Sequence, residues 1–325
     1  MKRVFKIYLE KPELAGIILL IALVAFFEAR SAGAFLSYQN VRGMLGLLPE
    51  VGMVTIGFAI LMICGEFDLS VGSVFALMPM CIALMLNAGV PFWAAFCLGL
   101  LIAAFVGFIN GFITLRFLIP SFITTLGMLF MARSLTVVIS GGFPPVLATD
   151  EVPMALFAGF IGGGLFRVSF VWLVIVAFLA TAMLSLTNFG NWIKATGGFL
   201  EAARSMGIPV RRVKLACFMI CSVLAGFSGT IQVFRLQSPL PNLGESLELQ
   251  AIAGAVIGGV ALSGGIGTVF GAIVGALLIR VIDNGLVLSR IDANWFKFAI
   301  GALTVFAVVG NSWLRRTARK IKVET

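Results

Sequence analysis

Ten apolar stretches follow one another along the chain, at residues 14–29, 43–64, 71–88, 91–113, 121–140, 168–187, 213–234, 247–263, 267–288 and 294–312, each bounded by charge, glycine or proline. Most are close to the roughly 20 residues that an α-helix needs to cross a hydrocarbon layer. In lipid every backbone N–H and C=O must be paired within the protein, so helices are the natural form for such a series. The expected fold is an all-α, polytopic integral membrane protein of about ten transmembrane helices, forming a single transmembrane domain over residues 1–325. Composition agrees: 60% of the residues are hydrophobic and only 11% are charged, against about 25% charged in soluble domains. Ten spans use about 200 residues, and the remainder is too short for a soluble catalytic domain of ordinary size.

Positive charge sets the expected orientation. With the amino terminus inside, the cytoplasmic segments collect 15 of the 23 Lys and Arg residues, among them Arg204, Arg211, Arg212 and Lys214. The outer segments hold Arg30, Arg42, Arg167, Arg235, Arg290 and Lys297, while Arg133 and Arg280 fall within spans. This bias follows the positive-inside rule and puts both termini in the cytoplasm. It also accounts for the net charge of +9 without a nucleic-acid partner, since the basic clusters flank membrane segments and lack interleaved aromatics. The first stretch has the layout of a signal peptide, with Ser31-Ala32-Gly33-Ala34 after it. Glu28 and Arg30 sit where a cleavage region should be neutral, so a retained first span is expected.

Absences narrow the chemistry. The chain has no His and no Gly-Lys dipeptide, which removes the commonest general base and the Walker A phosphate loop. No metal site and no cofactor are expected in this chain. The five cysteines, Cys64, Cys81, Cys97, Cys217 and Cys221, lie in apolar runs without Cys-x-x-Cys spacing and read as small buried hydrophobes.

The longest charged stretch between spans runs from Asn188 to Lys214. Inside it Leu200, Ala203, Arg204 and Gly207 fall at helical spacing, Gly207 suits the left-handed position past a helix end, and Pro209 blocks continuation. A short helix lying across the cytoplasmic face is expected. Its pair Ala202 and Ala203 would let another protein approach closely, with Glu201 and Arg204 at the rim; a solvated loop helix explains the same pattern. The segment Gly65 to Ser73 carries Glu66 and Asp68. Asp68 or Ser70 is expected to accept N–H groups at the start of the next helix. Capping leaves Glu66 unexplained, which points to a charged partner or to ion coupling through the acids. Gly267, Gly271 and Gly275 are four apart, a helical stripe suited to close packing or to a sliding interface. Arg280 and Asp283 are expected to pair. Arg133 is expected to face the bundle interior or to snorkel, and Asn110, Thr124 and Thr125 are candidate pathway-lining groups.

Four ordered motifs carry a resemblance. GEFDLSVGSVFAL (Gly65 to Leu77), NGFITLRFLIPSFITTLGMLFMARSLTVVISGG (Asn110 to Gly142), GGFLEAARSMGIPVRRVK (Gly197 to Lys214) and PNLGESLELQAIAGAVIGGVALSGGIGTVFGAIVGALL (Pro241 to Leu278) together resemble the membrane-spanning permease subunits of bacterial ABC importers for ribose and related sugars. The resemblance implies a single permease domain in the bacterial inner membrane, a second permease copy beside it, and two cytoplasmic ATPase subunits that bind ATP and Mg²⁺. It also implies a periplasmic solute-binding protein that delivers a monosaccharide or related small polar solute. Gly198, Glu201, Ala202, Ala203, Arg204 and Gly207 match the family's ATPase-coupling loop, here residues 188–214. Glu66, Asp68, Ser70 and Gly72 fall in its cytoplasmic motif, although Glu66 and Phe67 depart from the family's usual residues, as do Phe199, Leu200 and Gln250. The outer segments 141–167 and 235–247 would receive the binding protein, with Asp150 and Glu151 either pairing with it or simply solvated. Cargo of another kind (a polyol, an autoinducer-like molecule, a nucleoside or a branched-chain amino acid) stays open at this stage, as does an ion-coupled secondary carrier.

Overall fold

In the computed structural model, which describes residues 13–148, 151–162, 164–292, 294–306 and 309, the apolar stretches are helices. They are α1 (Glu13–Arg30), α2 (Tyr38–Ile63), α3 (Val71–Asn87), α4 (Phe92–Phe117), α5 (Ser121–Ser140), α7 (Val168–Leu186), α10 (Val210–Leu236), α11 (Leu247–Ile257), α12 (Val269–Leu288) and α13 (Trp295–Phe306). Between them lie α6 (Glu151–Ala158), a hairpin of β1 (Phe160–Ile161) with β2 (Phe166–Arg167), α8 (Asn188–Gly198) and α9 (Leu200–Ser205). The hairpin is a small addition to the expected all-α fold. The basic residues expected near both chain ends, Asp150 and the end of the stretch 294–312 lie outside the described residues.

Among the described residues six helices, α2, α4, α5, α7, α10 and α12, are long and apolar enough to cross a membrane. Charge-bounded reading sets several helices too short: α2 starts before Arg42, α4 runs past Arg116, and α10 begins before Arg211 and Arg212. A charged residue ends an apolar run without breaking an i to i−4 hydrogen bond, so each helix continues to its backbone stop. For the predicted span 247–263 the difference is larger. Helix α11 ends at Ile257, where Gly258 caps it and Gly259 takes φ +95°. Its 11 residues rise only about 16 Å, roughly half a hydrocarbon core.

The bundle is built around α2, which is enclosed at every residue from Leu48 to Ile63; a helix apolar on all sides belongs in the interior. Helix α10 packs against α2, α3 and α4, and α12 against α1, α2 and α11. The outer helices bury one narrow stripe each. On α5 it is Ser121, Thr125, Met128, Ala132 and Thr136, and on α7 Ser169, Leu173, Ala180 and Leu184. Their opposite faces expose Phe122, Phe130, Val138, Val174 and Phe178. Apolar surface this extensive needs lipid or another protein against it.

Charges inside the bundle are met either by an opposite charge or by backbone carbonyls. Glu50 is buried in α2 and accepts from Arg235 twice, Nε to Oε1 at 2.5 Å and Nη2 to Oε2 at 3.2 Å. Arg133 turns inward and donates to the carbonyls of Pro241 (3.0 Å), Leu243 (2.6 Å) and Gly72 (3.0 Å). Arg280 meets Asp283 at 3.2 Å, as expected. The α11–α12 contact is backbone on backbone: a Cβ added at Gly275 would overlap the Gly254 carbonyl oxygen, and one at Gly271 the Gly258 carbonyl oxygen. Gly267 is not part of that stripe, because Thr268 is the N-cap of α12 and Gly267 lies before it, against the Ile63 side chain.

Candidate functional site

The turn after α2 places the acidic motif. Gly65, at φ +86°, donates its N–H to Met62, and Glu66 donates its own to Leu61, so the chain reverses within three residues. The two acids then face different partners. Glu66 accepts from Lys214 Nζ at 2.5 Å, each side chain 12% exposed. Asp68 is wholly buried. Its Oδ1 accepts from the Ser70 N–H (2.8 Å) and Ser70 Oγ (2.6 Å), Asn110 Nδ2 donates to both carboxylate oxygens at 3.3 and 3.2 Å, and Ser222 Oγ reaches Oδ2 at 3.4 Å. Burial pushes the carboxyl of Asp68, in the loop between the two helices, above its usual value, and the hydrogen bonds from Ser70, Asn110 and Ser222 oppose that. Neither Asp68 nor Ser70 caps α3 with its side chain. Asp68 instead closes an Asx turn on Ser70, one position ahead of the helix.

The stripe of α5 holds this loop. Ser121 Oγ accepts from the Phe67 N–H at 3.2 Å and Thr125 Oγ1 from the Leu69 N–H at 3.0 Å. Asn110 and Thr125, expected to line a pathway, are therefore buried and engaged with the Asp68 loop in this state. Thr124 is half-buried, and its hydroxyl has no hydrogen-bond partner. Gly72 is enclosed: a Cβ there would strike the Gly244 carbonyl oxygen and approach the Glu248 carboxylate. The segment 235–247 thus turns into the bundle, with Leu243 and Leu247 buried and Asn242 and Glu245 exposed.

The segment 188–214 contains the short helix expected after Gly197, α9, and a second helix, α8, before it. Thr187 caps α8 by accepting from the Gly190 N–H at 3.1 Å. Phe199, extended at φ −146° and ψ 90°, separates α8 from α9. Helix α9 ends as its sequence predicts: Gly207 takes φ +79°, its N–H reaches the Arg204 carbonyl at 2.9 Å, and the Ile208 N–H reaches that of Ala203 at 3.1 Å. The alanine pair is split, with Ala203 buried against its own chain and Ala202 exposed. The outward surface consists of Phe199 (80% exposed), Met206 (79%) and the Glu201–Arg204 pair at 2.8 Å. Behind it, a Cβ at Gly197 would overlap the Ile63 carbonyl oxygen, and the same carbonyl accepts from the Gly265 N–H at 2.8 Å. Gly198 is exposed beside that seam.

All four sequence motifs meet here. A cavity of about 250 Å³ between them is lined by Glu66 and Lys214, Leu200 and Arg204, Thr114 and Ser121, among others, while Gly264 and Gly265 of the fourth motif close on Gly197 and Gly198. Lys214, Thr114 and Ser222 were not singled out from the sequence as members of this cluster. Lys214 offered a signal as the last of a basic run, one that an unmatched Glu66 needed. The same logic pairs Glu50 and Arg235, lone opposite charges in two apolar runs. Among the described residues no three of His, Cys, Asp and Glu gather into a metal site. The arrangement gathers the segment before an exposed helix and the ends of α2, α5, α10 and α12 around one cavity.

Comparison with known proteins gives the same direction. Residues 40–308 match the family described as branched-chain amino acid transport system / permease component. The chain is 33% identical over 307 residues to a probable ABC transporter permease protein of Escherichia coli K12, covering 94% of this chain and 92% of that protein. It is 31% identical over 303 residues to the ribose import permease protein of the same organism, covering 93% and 92%. It is also 31% identical over 313 residues to the xylose/arabinose import permease protein of Sulfolobus acidocaldarius, covering 93% and 85%. No solved structure matches.

Proposed function

The chain belongs to the permease component family of branched-chain amino acid type ABC transport systems, a multi-pass membrane transport subunit and not itself an enzyme, and on that premise we propose that it imports a monosaccharide or related small polar solute. Support for the cargo class comes from the relatives named for ribose and for xylose/arabinose import. In this reading α8 and α9 dock on a cytoplasmic ATPase that binds ATP and Mg²⁺, and a periplasmic binding protein delivers the solute to the opposite face through segments 141–167 and 235–247. A second permease copy completes the pathway in the inner membrane, with about ten spans and both termini in the cytoplasm.

The observation that carries the coupling role is the exposed surface of Phe199, Glu201, Arg204 and Met206 on a helix whose Leu200 and Arg204 share a cavity with the Glu66–Lys214 ion pair. A push on α9 reaches α2 and α10 through that pair, and closure of two ATPases would supply the push. The test is gentle extraction of the chain with whatever it holds, alongside uptake of labelled ribose and xylose. An ATPase should come with the wild type and be lost from Glu201→Lys and Gly207→Trp, with uptake lost and membrane insertion kept. Normal uptake in both variants would sink the coupling assignment.

A further inference from the structure

Three helix ends and a hairpin meet at the Tyr38 end of α2. Arg42 lies in its first turns, Arg167 is the residue before α7, and Arg235 stands in the last turn of α10. Between them is a cavity of about 540 Å³, lined by the three arginines with Gln39, Gly43 and Phe160. Arg235 is neutralised by Glu50. Arg42 and Arg167 are not: among the described residues neither has a carboxylate in salt-bridge range. Instead both guanidinium groups lie on the ring of Phe160, at 4.5 and 4.1 Å from its centroid, and Arg167 also donates to the Ala158 carbonyl at 2.7 Å. Burial and the neighbouring charges of Arg235 and Arg42 lower the pKa of the Arg167 guanidinium from its ordinary value, with Glu50 opposing, and the group stays a cation. Two cations are thus held together in a pocket with spare N–H donors directed by a fixed ring.

We propose that this pocket holds the phosphate of an anionic phospholipid headgroup, bound by Arg42 and Arg167. The placement favours lipid, because the cations sit where three apolar helices start or stop, the level at which headgroups lie. Beside the pocket the hairpin exposes Phe160, Ile161 and Phe166, apolar surface suited to the glycerol and upper acyl region. Guanidinium groups match phosphate oxygens with paired donors.

The experiment compares the full-length wild type, Arg42→Gln and Arg167→Gln after reconstitution in phosphatidylcholine with and without phosphatidylglycerol, reading retained lipid by mass and thermal stability. Among the described residues Arg42 makes no hydrogen bond or ion pair, so that variant tests the site without disturbing the hairpin's carbonyl bond. The expected result is preferential retention of phosphatidylglycerol and a raised melting temperature in the wild type, with retention falling about fivefold for each arginine removed. Equal retention in wild type and variants would overturn the proposal. Equal stabilisation by inorganic phosphate in pure phosphatidylcholine would assign the pocket to free anions and overturn the lipid assignment. Unchanged lipid preference with lost capture of an acidic binding protein would give this face to a protein partner, with the same consequence.

Discussion

Lys214 and Glu66 are 148 residues apart in sequence and 2.5 Å apart in space, so the first turns of α10 are fastened to the turn that leaves α2. The pair lines the same cavity as Leu200 and Arg204 of α9. Replacing either residue alone leaves a largely buried charge unmatched. Lys214→Met and Glu66→Gln should each cost roughly 1.5–3 kcal/mol, the scale of a charge-assisted hydrogen bond. The exchange Glu66→Lys with Lys214→Glu should recover part of both stability and uptake. Thermal unfolding of the wild type, Lys214→Met, Glu66→Gln and the double variant that combines these two changes, read as a double-mutant cycle, checks the coupling; independent, additive effects would show that the pair does not couple.

Two glycines in the same segment should both be destabilised by alanine and respond in opposite ways to asparagine. At Gly197 there is no room beside the Ile63 carbonyl, and overpacking of this kind costs about 1–3 kcal/mol. At Gly207 the space is open and the difficulty is the positive φ, worth roughly 1–2 kcal/mol of backbone strain. Gly207→Asn should therefore behave close to wild type, since Asn tolerates that conformation, whereas Gly197→Asn should be worse than Gly197→Ala. Melting temperatures of the four variants decide it.

Arg133 satisfies three carbonyl groups from two different segments. Its replacement by Met keeps the length and removes every donor, at about 1–3 kcal/mol for each carbonyl left unpaired. Arg133→Lys should restore a minority of the loss, because an ammonium cannot reproduce the spread of a guanidinium. Limited proteolysis near Pro241 to Gly244 should become faster in the Met variant, and unchanged cleavage would contradict the clamp.

At Asp68 the chemistry requires one acceptor-rich group facing one amide. Asp68→Asn sets two amides against each other and should impair folding, and Asn110→Asp sets two carboxylates together and should impair it more. The double exchange restores one of each and should fold better than either single variant. Yield of properly folded protein from the membrane is the measurement.

Local features of this fold were legible in the sequence, and distant ones were not. The end of α9 could be read from Gly207 and Pro209 because a helix stop is written within a few residues. The apolar stretches located the helices for the same reason, with boundaries displaced wherever a charge such as Arg42 or Arg116 interrupts hydropathy and leaves the hydrogen-bond ladder intact. Asp68 was legible as an acid at the start of the next helix, but its partners Asn110 and Ser222 lie 42 and 154 positions away, and no periodicity reports such a distance. The short length of α11 was hidden because its apolar run continues through Gly258 and Gly259 after the helix has stopped. Motif recognition singled out the segment 197–214, and only the fold revealed that Ala203 faces inward while Phe199 and Met206 face out.

The seam of Gly254 and Gly258 against Gly271 and Gly275 fixes where this protein does not bend. With no side chains between them, two backbones mesh carbonyl to Cα, and a shift of α11 along α12 by one residue would drive an alanine or a valine methyl into the opposing main chain. The half-length helix and its full-length neighbour therefore travel as one body. Any rearrangement that opens a passage must take place around that body, at its loops and its far faces, and not through it.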